Sequence, residues 1–127
     1  MHIHDLDGYF ETENETELIE RLRTVRRGPY GAFVLQHASD YPYMSVHVND
    51  DLAYIGFFPS AESLFVPSGM SPLEDAGEIR FVLVGGDAAD DIYACAEDVV
   101  PFSLAVRAAC QFLMTVGLPD SITWQEQ

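Results

Sequence analysis

The last quarter of the chain, Asp98 to Gln125, constrains the rest: DVVPFSLAVRAACQFLMTVGLPDSITWQ. Pro101 suits a first helical turn, where its missing N–H has no partner to lose. Asp98 just upstream places negative charge at the positive end of the helix dipole. Ala105, Ala109, Phe112, Leu113 and Val116 recur at helical spacing and form one apolar face. Ala108 beside them leaves room for a sheet to come close. Gly117 is placed to take the left-handed conformation that ends helices, and Pro119 prevents resumption. Ser121 to Gln125 is β-prone and carries the sole tryptophan, Trp124. The spacing therefore predicts a helix packed on a sheet, a sharp stop, and a final strand that returns Trp124 toward that helix. A tryptophan so placed serves packing more often than binding.

Upstream, Thr12-x-x-Glu15 has the form of a capping box. Leu18, Ile19, Leu22 and Val25 then mark one face of an amphipathic helix reaching about Arg26. Glu17 and Arg21 form an i,i+4 pair in the favourable order, and Gly28-Pro29 stops the helix. His2 to Tyr9 reads as an opening strand or arm, and Gly31 to His37 as a strand. Met44, Val46 and Val48 alternate with Ser45 and His47, and Leu52 to Phe58 returns after Asn49-Asp50-Asp51. Residues 43–58 thus predict a hairpin, apolar on both faces, which suits a strand pair covered on both sides or a partner surface. Ser63 to Val66 reads as a short edge strand. Ile79 to Val84 and Ile92 to Cys95 read as strands joined by a glycine-rich acidic turn. Consecutive strands with short turns favour antiparallel pairing. The expected fold is α+β: one antiparallel sheet of hairpins with an N-terminal and a C-terminal helix packed on it. Residues 1–127 read as one domain, large enough to bury a core without metal or disulfide.

Charge is the most unusual bulk property. The chain has 21 acids against six arginines and no lysine, a formal net charge of −15, while 48% of its residues are hydrophobic. Such a balance argues against direct binding of nucleic acid or of an anionic membrane, and favours a cationic partner or plain solubility. Met1-His2-Ile3-His4-Asp5 has neither the basic start nor the apolar run of a signal peptide, and no stretch approaches a membrane span. The expected location is cytoplasmic, where Cys95 and Cys110 read as buried apolar residues.

No catalytic, metal or cofactor constellation stands out. His2 and His4 share a strand face, and His37 or His47 would have to join them to make a metal site. There is no His-x-Glu or Cys-x-x-Cys pattern, so the chain is not itself a zinc deaminase. Asp5-x-Asp7-Gly8 lacks the later acidic ligand of a calcium loop and reads as a turn. Gly85-Gly86-Asp87 lacks the following helix and lysine of a phosphate loop. Loop carboxylates remain: Asp50 and Asp51, then Asp87, Asp90 and Asp91, then Glu97 and Asp98. Tyr41 and Tyr43 lie in or near a loop, as do Tyr9, Phe10 and Tyr30. Tyrosines beside carboxylates suit a protein interface, and they also suit ordinary partial burial.

The pattern Phe112-Leu113-x-x-x-Gly117-x-Pro119, followed by a short strand closing on Trp124, resembles the C-terminal signature of the first-numbered immunity protein family of bacterial polymorphic toxin systems. Ala53-Tyr54-Ile55-Gly56 and the strands around Gly85-Gly86 are similar to that family's central hairpins. Members are small α+β proteins, often encoded beside deaminase-type toxins, which they bind. The resemblance implies a non-catalytic protein without cofactor, a monomer in a heterodimeric complex with a cognate toxin domain whose cleft is basic. Asp50, Asp51, Asp87, Asp90, Asp91, Tyr41 and Tyr43 would supply the contacts, and Trp124, Phe112, Gly117 and Pro119 the structural signature. Two other readings stay open: a small acidic adaptor or inhibitor domain for another basic protein, and an enzyme using loop carboxylates, which needs one of them buried in a cleft.

Overall fold

In chain order the elements are β1 (His2–Asp5), β2 (Gly8–Glu11), α1 (Glu15–Thr24), β3 (Tyr30–Gln36), β4 (Tyr43–Asn49), β5 (Leu52–Ser60), β6 (Ser63–Pro67), β7 (Glu78–Phe81), β8 (Ile92–Cys95), β9 (Val100–Pro101), α2 (Phe102–Thr115) and β10 (Trp124–Glu126). The computed structural model describes residues 1–74, 77–86 and 90–127.

Alternation along three strands decides how these elements stack. β3, β4 and β5 pair antiparallel, with Phe33 opposite Val46 and Val46 opposite Ile55 in one row, and Leu35, Met44 and Phe57 in the next. All six side chains point to one face and are buried there against Leu18 and Leu22 of α1 and against Ala105, Ala108, Ala109 and Phe112 of α2. The small alanines let α2 lie close to the sheet. The sheet order is β10-β6-β5-β4-β3-β1-β2, with β9 also paired to β5, and each described pairing is antiparallel. The result is the expected α+β arrangement of hairpins under two helices.

The second face carries the intervening residues: Val34, Ser45 and Gly56 in one row, and His47 beside Tyr54. β7 and β8 leave the main sheet, form their own two-stranded sheet, and cover part of this face. Phe81, Ala94 and Val99 make a second small core there, packed against Leu52 and Tyr54. The apolar character of both faces of residues 43–58 follows from this double cover, which leaves only part of the second face open.

Several local expectations shift. Asn14, not Thr12, caps α1, its side chain accepting from the Glu17 N–H at 3.1 Å. Thr12 instead donates to the Glu17 carboxylate at 2.7 Å. Arg21 therefore is not Glu17's partner and reaches Asp5 on β1. β6 is not an edge, because β10 flanks it: Trp124 sits opposite Pro67 and Gln125 opposite Val66. β7 ends at Phe81, since Val82 to Val84 leave the ladder to run over the main sheet. α2 ends through Val116, which takes φ 61° and ψ −2°, and not through Gly117. Val116 consequently turns out to solvent instead of completing the apolar face. Cys95, at the end of β8, is exposed, whereas Cys110 is half-buried and burial pushes its thiol up to about 11.

Trp124 is half-buried. Its indole N–H donates to the Pro119 carbonyl at 2.8 Å, and its ring lies 6.2 Å from that of Phe57. The stop after α2 and the last strand are thereby tied together. Gln111 adds a second tie across the same stop, accepting from the Ser121 N–H at 3.1 Å and donating to Asp120 at 2.6 Å.

A candidate partner-binding face

The open part of the second sheet face is a groove of about 440 Å³. Its floor is the row Val34, Ser45 and Gly56, where two consecutive positions have almost no side chain. A Cβ placed on Gly56 would lie 3.0 Å from Ser45 Oγ and 3.1 Å from both Leu64 and Phe58, so the neighbours close in as far as a glycine permits. One wall is aromatic: Tyr43 and Phe58 sit opposite each other on β4 and β5, and their rings stack at 4.4 Å and 14°. Tyr41 extends this wall outward, its ring 5.7 Å from that of Tyr43. The other wall is Leu83, Val84 and Ile92 from the segments flanking the acidic turn.

Polar groups fix how that second wall lies. Asn49 donates to the Arg80 carbonyl at 3.0 Å, and His47 Nδ1 donates to the Val82 carbonyl at 3.0 Å. The chain from Arg80 to Val84 therefore tracks β4 toward Tyr43. Burial lowers the pKa of His47, and its carbonyl partner offsets this only in part. The imidazole is thus a neutral spacer between the layers. Burial, then the neighbouring Tyr41, raises the Tyr43 phenol above its ordinary value.

The site residues expected from sequence separate into two groups. Tyr41 and Tyr43 stand at the groove, at the end where β3 turns into β4. Asp50 and Asp51 occupy the turn at the opposite end of β4. Asp50 holds φ 57°, a left-handed value that a short polar side chain tolerates; its N–H donates to the Pro29 carbonyl. The Asp51 carbonyl accepts from the N–H of Phe102 at 2.7 Å and so anchors the start of α2. Asp91 is engaged internally, its almost fully buried carboxylate paired with Arg80. Asp90 is exposed, next to that pair. Asp87 lies outside the described residues.

Two acids that sequence reasoning passed over join the groove end: Asp40 in the β3–β4 turn and Glu62 in the β5–β6 turn, both exposed. The register that places Tyr43 opposite Phe58 brings both turns to one end of the sheet. A strand–turn–strand reading with a pairing register would have found them. The arginines are elsewhere. Arg21 and Arg27 pair with Asp5 and Asp7, Arg80 with Asp91, and Arg26 lies over the Phe102 ring.

Of the loop acids, Asp98 is half-buried, and burial, then the charge of Glu97, raises its pKa. It faces a polar hollow with Ser68 and Ser71. Among the described residues no group of three or more His, Cys, Asp or Glu could hold a metal ion. No described helix is long and apolar enough to cross a membrane.

The chain is 28% identical, over 129 residues, to a double-stranded DNA deaminase immunity protein of Burkholderia cenocepacia strain H111. The chain resembles an immunity protein. The likeness covers 99% of each chain, so it extends far beyond the C-terminal pattern. No family model matches the chain.

Proposed function

We propose that the chain is an immunity protein that binds a cognate bacterial toxin, a nucleic-acid deaminase or nuclease-like domain, and neutralises it by occluding the active site. The nearly full-length likeness to a deaminase immunity protein carries this reading. Charge supports it. An enzyme that works on nucleic acid presents cationic surface to phosphates, and a partner of net charge −15 is attracted to that same surface. The chain acts without catalysis or cofactor, as one domain, in a one-to-one complex in the cytoplasm. Tyr41 and Tyr43 are the contacts at the groove, Asp87, Asp90 and Asp91 are further contacts from the acidic sequence before β8, and Asp50 and Asp51 extend the acidic surface at the far end of β4.

Co-expression with the product of the adjacent gene tests this. Growth rescue and co-purification of a stable complex are expected. If both proteins fold, yet the chain neither rescues growth nor binds, the reading gives way to an acidic adaptor for another basic protein.

A further inference from the structure

The groove has a feature that packing alone does not call for. Ser45 is 8% exposed, yet no described residue hydrogen-bonds its hydroxyl, which opens onto the groove floor. In the free protein this hydroxyl meets water, so a group that covers it must supply a hydrogen bond in place of the one it strips away. Beside it stands the Tyr43 ring, held flat by its stack on Phe58. Asp40 and Glu62 are exposed in the two turns at the Tyr43–Phe58 end of the sheet, with the arginines of α1 on the helical face and Arg80 drawn to Asp91. An aromatic plane, a free hydroxyl and an acidic rim together select one kind of side chain. A guanidinium stacks on aromatic faces, donates in several directions, and is attracted by carboxylates. An aliphatic or aromatic side chain would leave the hydroxyl unpaired and gain nothing from the rim.

We infer that the groove over Ser45 and Gly56 receives one arginine of the cognate toxin, its guanidinium lying against Tyr43 and donating to the Ser45 hydroxyl. The inference rests on the immunity reading and adds to it the place and chemistry of contact. Gly56 is required by the groove floor itself, because a Cβ there would crowd Ser45 Oγ at 3.0 Å and Leu64 and Phe58 at 3.1 Å. The acids of these two turns attract the arginine without a buried carboxylate that would cost desolvation in the free protein.

The test is a double-mutant cycle between this chain and the catalytically inactivated toxin domain encoded beside it, read by calorimetry, with a thermal melt of every variant. Tyr43→Ala should weaken binding about tenfold or more, and Tyr43→Phe, which keeps the ring, less than about threefold. Ser45→Ala, which removes only the hydroxyl, should cost about tenfold. One toxin arginine, changed to alanine, should lose affinity that is not additive with Tyr43→Ala. Toxin binding that tolerates Tyr43→Ala and Ser45→Ala unchanged overturns the groove and leaves the immunity reading standing. Coupling of Tyr43 to a toxin residue other than arginine overturns the proposed occupant, as does self-association of the chain that Tyr43→Ala abolishes. Failure of the unaltered protein to bind the toxin removes the immunity reading and this inference with it.

Discussion

Arg21 on α1 grips Asp5 on β1 with two parallel hydrogen bonds, Nε to Oδ2 at 2.6 Å and a terminal nitrogen to Oδ1 at 3.2 Å. The Asp5 carboxylate is fully buried and also accepts from the Asp7 N–H at 3.0 Å, while the guanidinium lies over the Phe10 ring at 4.8 Å. One ion pair thereby joins the first hairpin, its turn and the first helix. Asp5→Ala leaves Arg21 without its partner under the hairpin, and a loss of about 3–5 kcal/mol is expected in denaturant unfolding. A loss below about 1 kcal/mol would show that the hairpin docks through Ile3 and Phe10 alone.

Val116 is strained where a glycine would not be. A β-branched residue at φ 61° meets its own carbonyl. Val116→Gly should raise stability by about 0.5–1 kcal/mol, the relief of strain exceeding the entropy that glycine loses. Gly117→Ala should be close to neutral, since its new methyl would meet only the Thr115 carbonyl, at 3.9 Å. A destabilised Val116→Gly variant would count against the strain.

His47 gives stability a pH dependence of known sign. Its folded pKa lies below the unfolded value of 6.5, because the buried imidazole resists protonation. The unfolded chain binds the extra proton first, so the contribution is complete above about pH 6.5 and is lost as pH falls toward the folded pKa. Thermal melts at pH 7.5 and 5 should show a larger drop for the unaltered protein than for His47→Gln. Equal drops would mean that the imidazole reaches water.

Trp124 is half-buried, so its removal should cost less than that of a core aromatic. Trp124→Ala should lower stability by about 2–3 kcal/mol, through lost contact with Phe57 and the lost bond to Pro119. Trp124→Phe should recover part of this, leaving the carbonyl unpaired. An unchanged melting temperature would release the indole for a binding role.

Charge reversal separates the two ends of the acidic surface. Asp40→Lys with Glu62→Lys should slow association with the toxin about tenfold at low salt and flatten its salt dependence. Asp50→Lys with Asp51→Lys, at the far end of β4, should change the rate less. The reverse order would move the contact to the β4–β5 turn.

The C-terminal quarter was legible because its signals are local. Alanine spacing placed the buried face of α2, and Pro119 marked where the chain turns. The hairpin of β4 and β5 was equally plain from alternation. Its second cover was not, because the β7–β8 hairpin pairs with nothing in the main sheet and is held by His47 and Asn49 to carbonyls more than thirty residues away. Arg21 illustrates the same limit: a favourable partner four residues off lost to a buried carboxylate sixteen residues off. The groove needed the register that sets Ser45 beside Gly56, which neither residue announces alone.

The sheet order has a consequence for synthesis on the ribosome. β3, β4, β5 and β6 join each other in the order they are made, so most of the sheet forms by closing neighbouring turns, the fastest kind of non-helical folding. β10 is the exception: it reaches β6 only after the whole of α2 has been made. Until Trp124 to Glu126 emerge, β6 presents an open ladder to any passing strand, and the nascent chain is most prone to sticking at this late stage. Those three residues act as the latch that closes a growing hairpin array into the finished sheet.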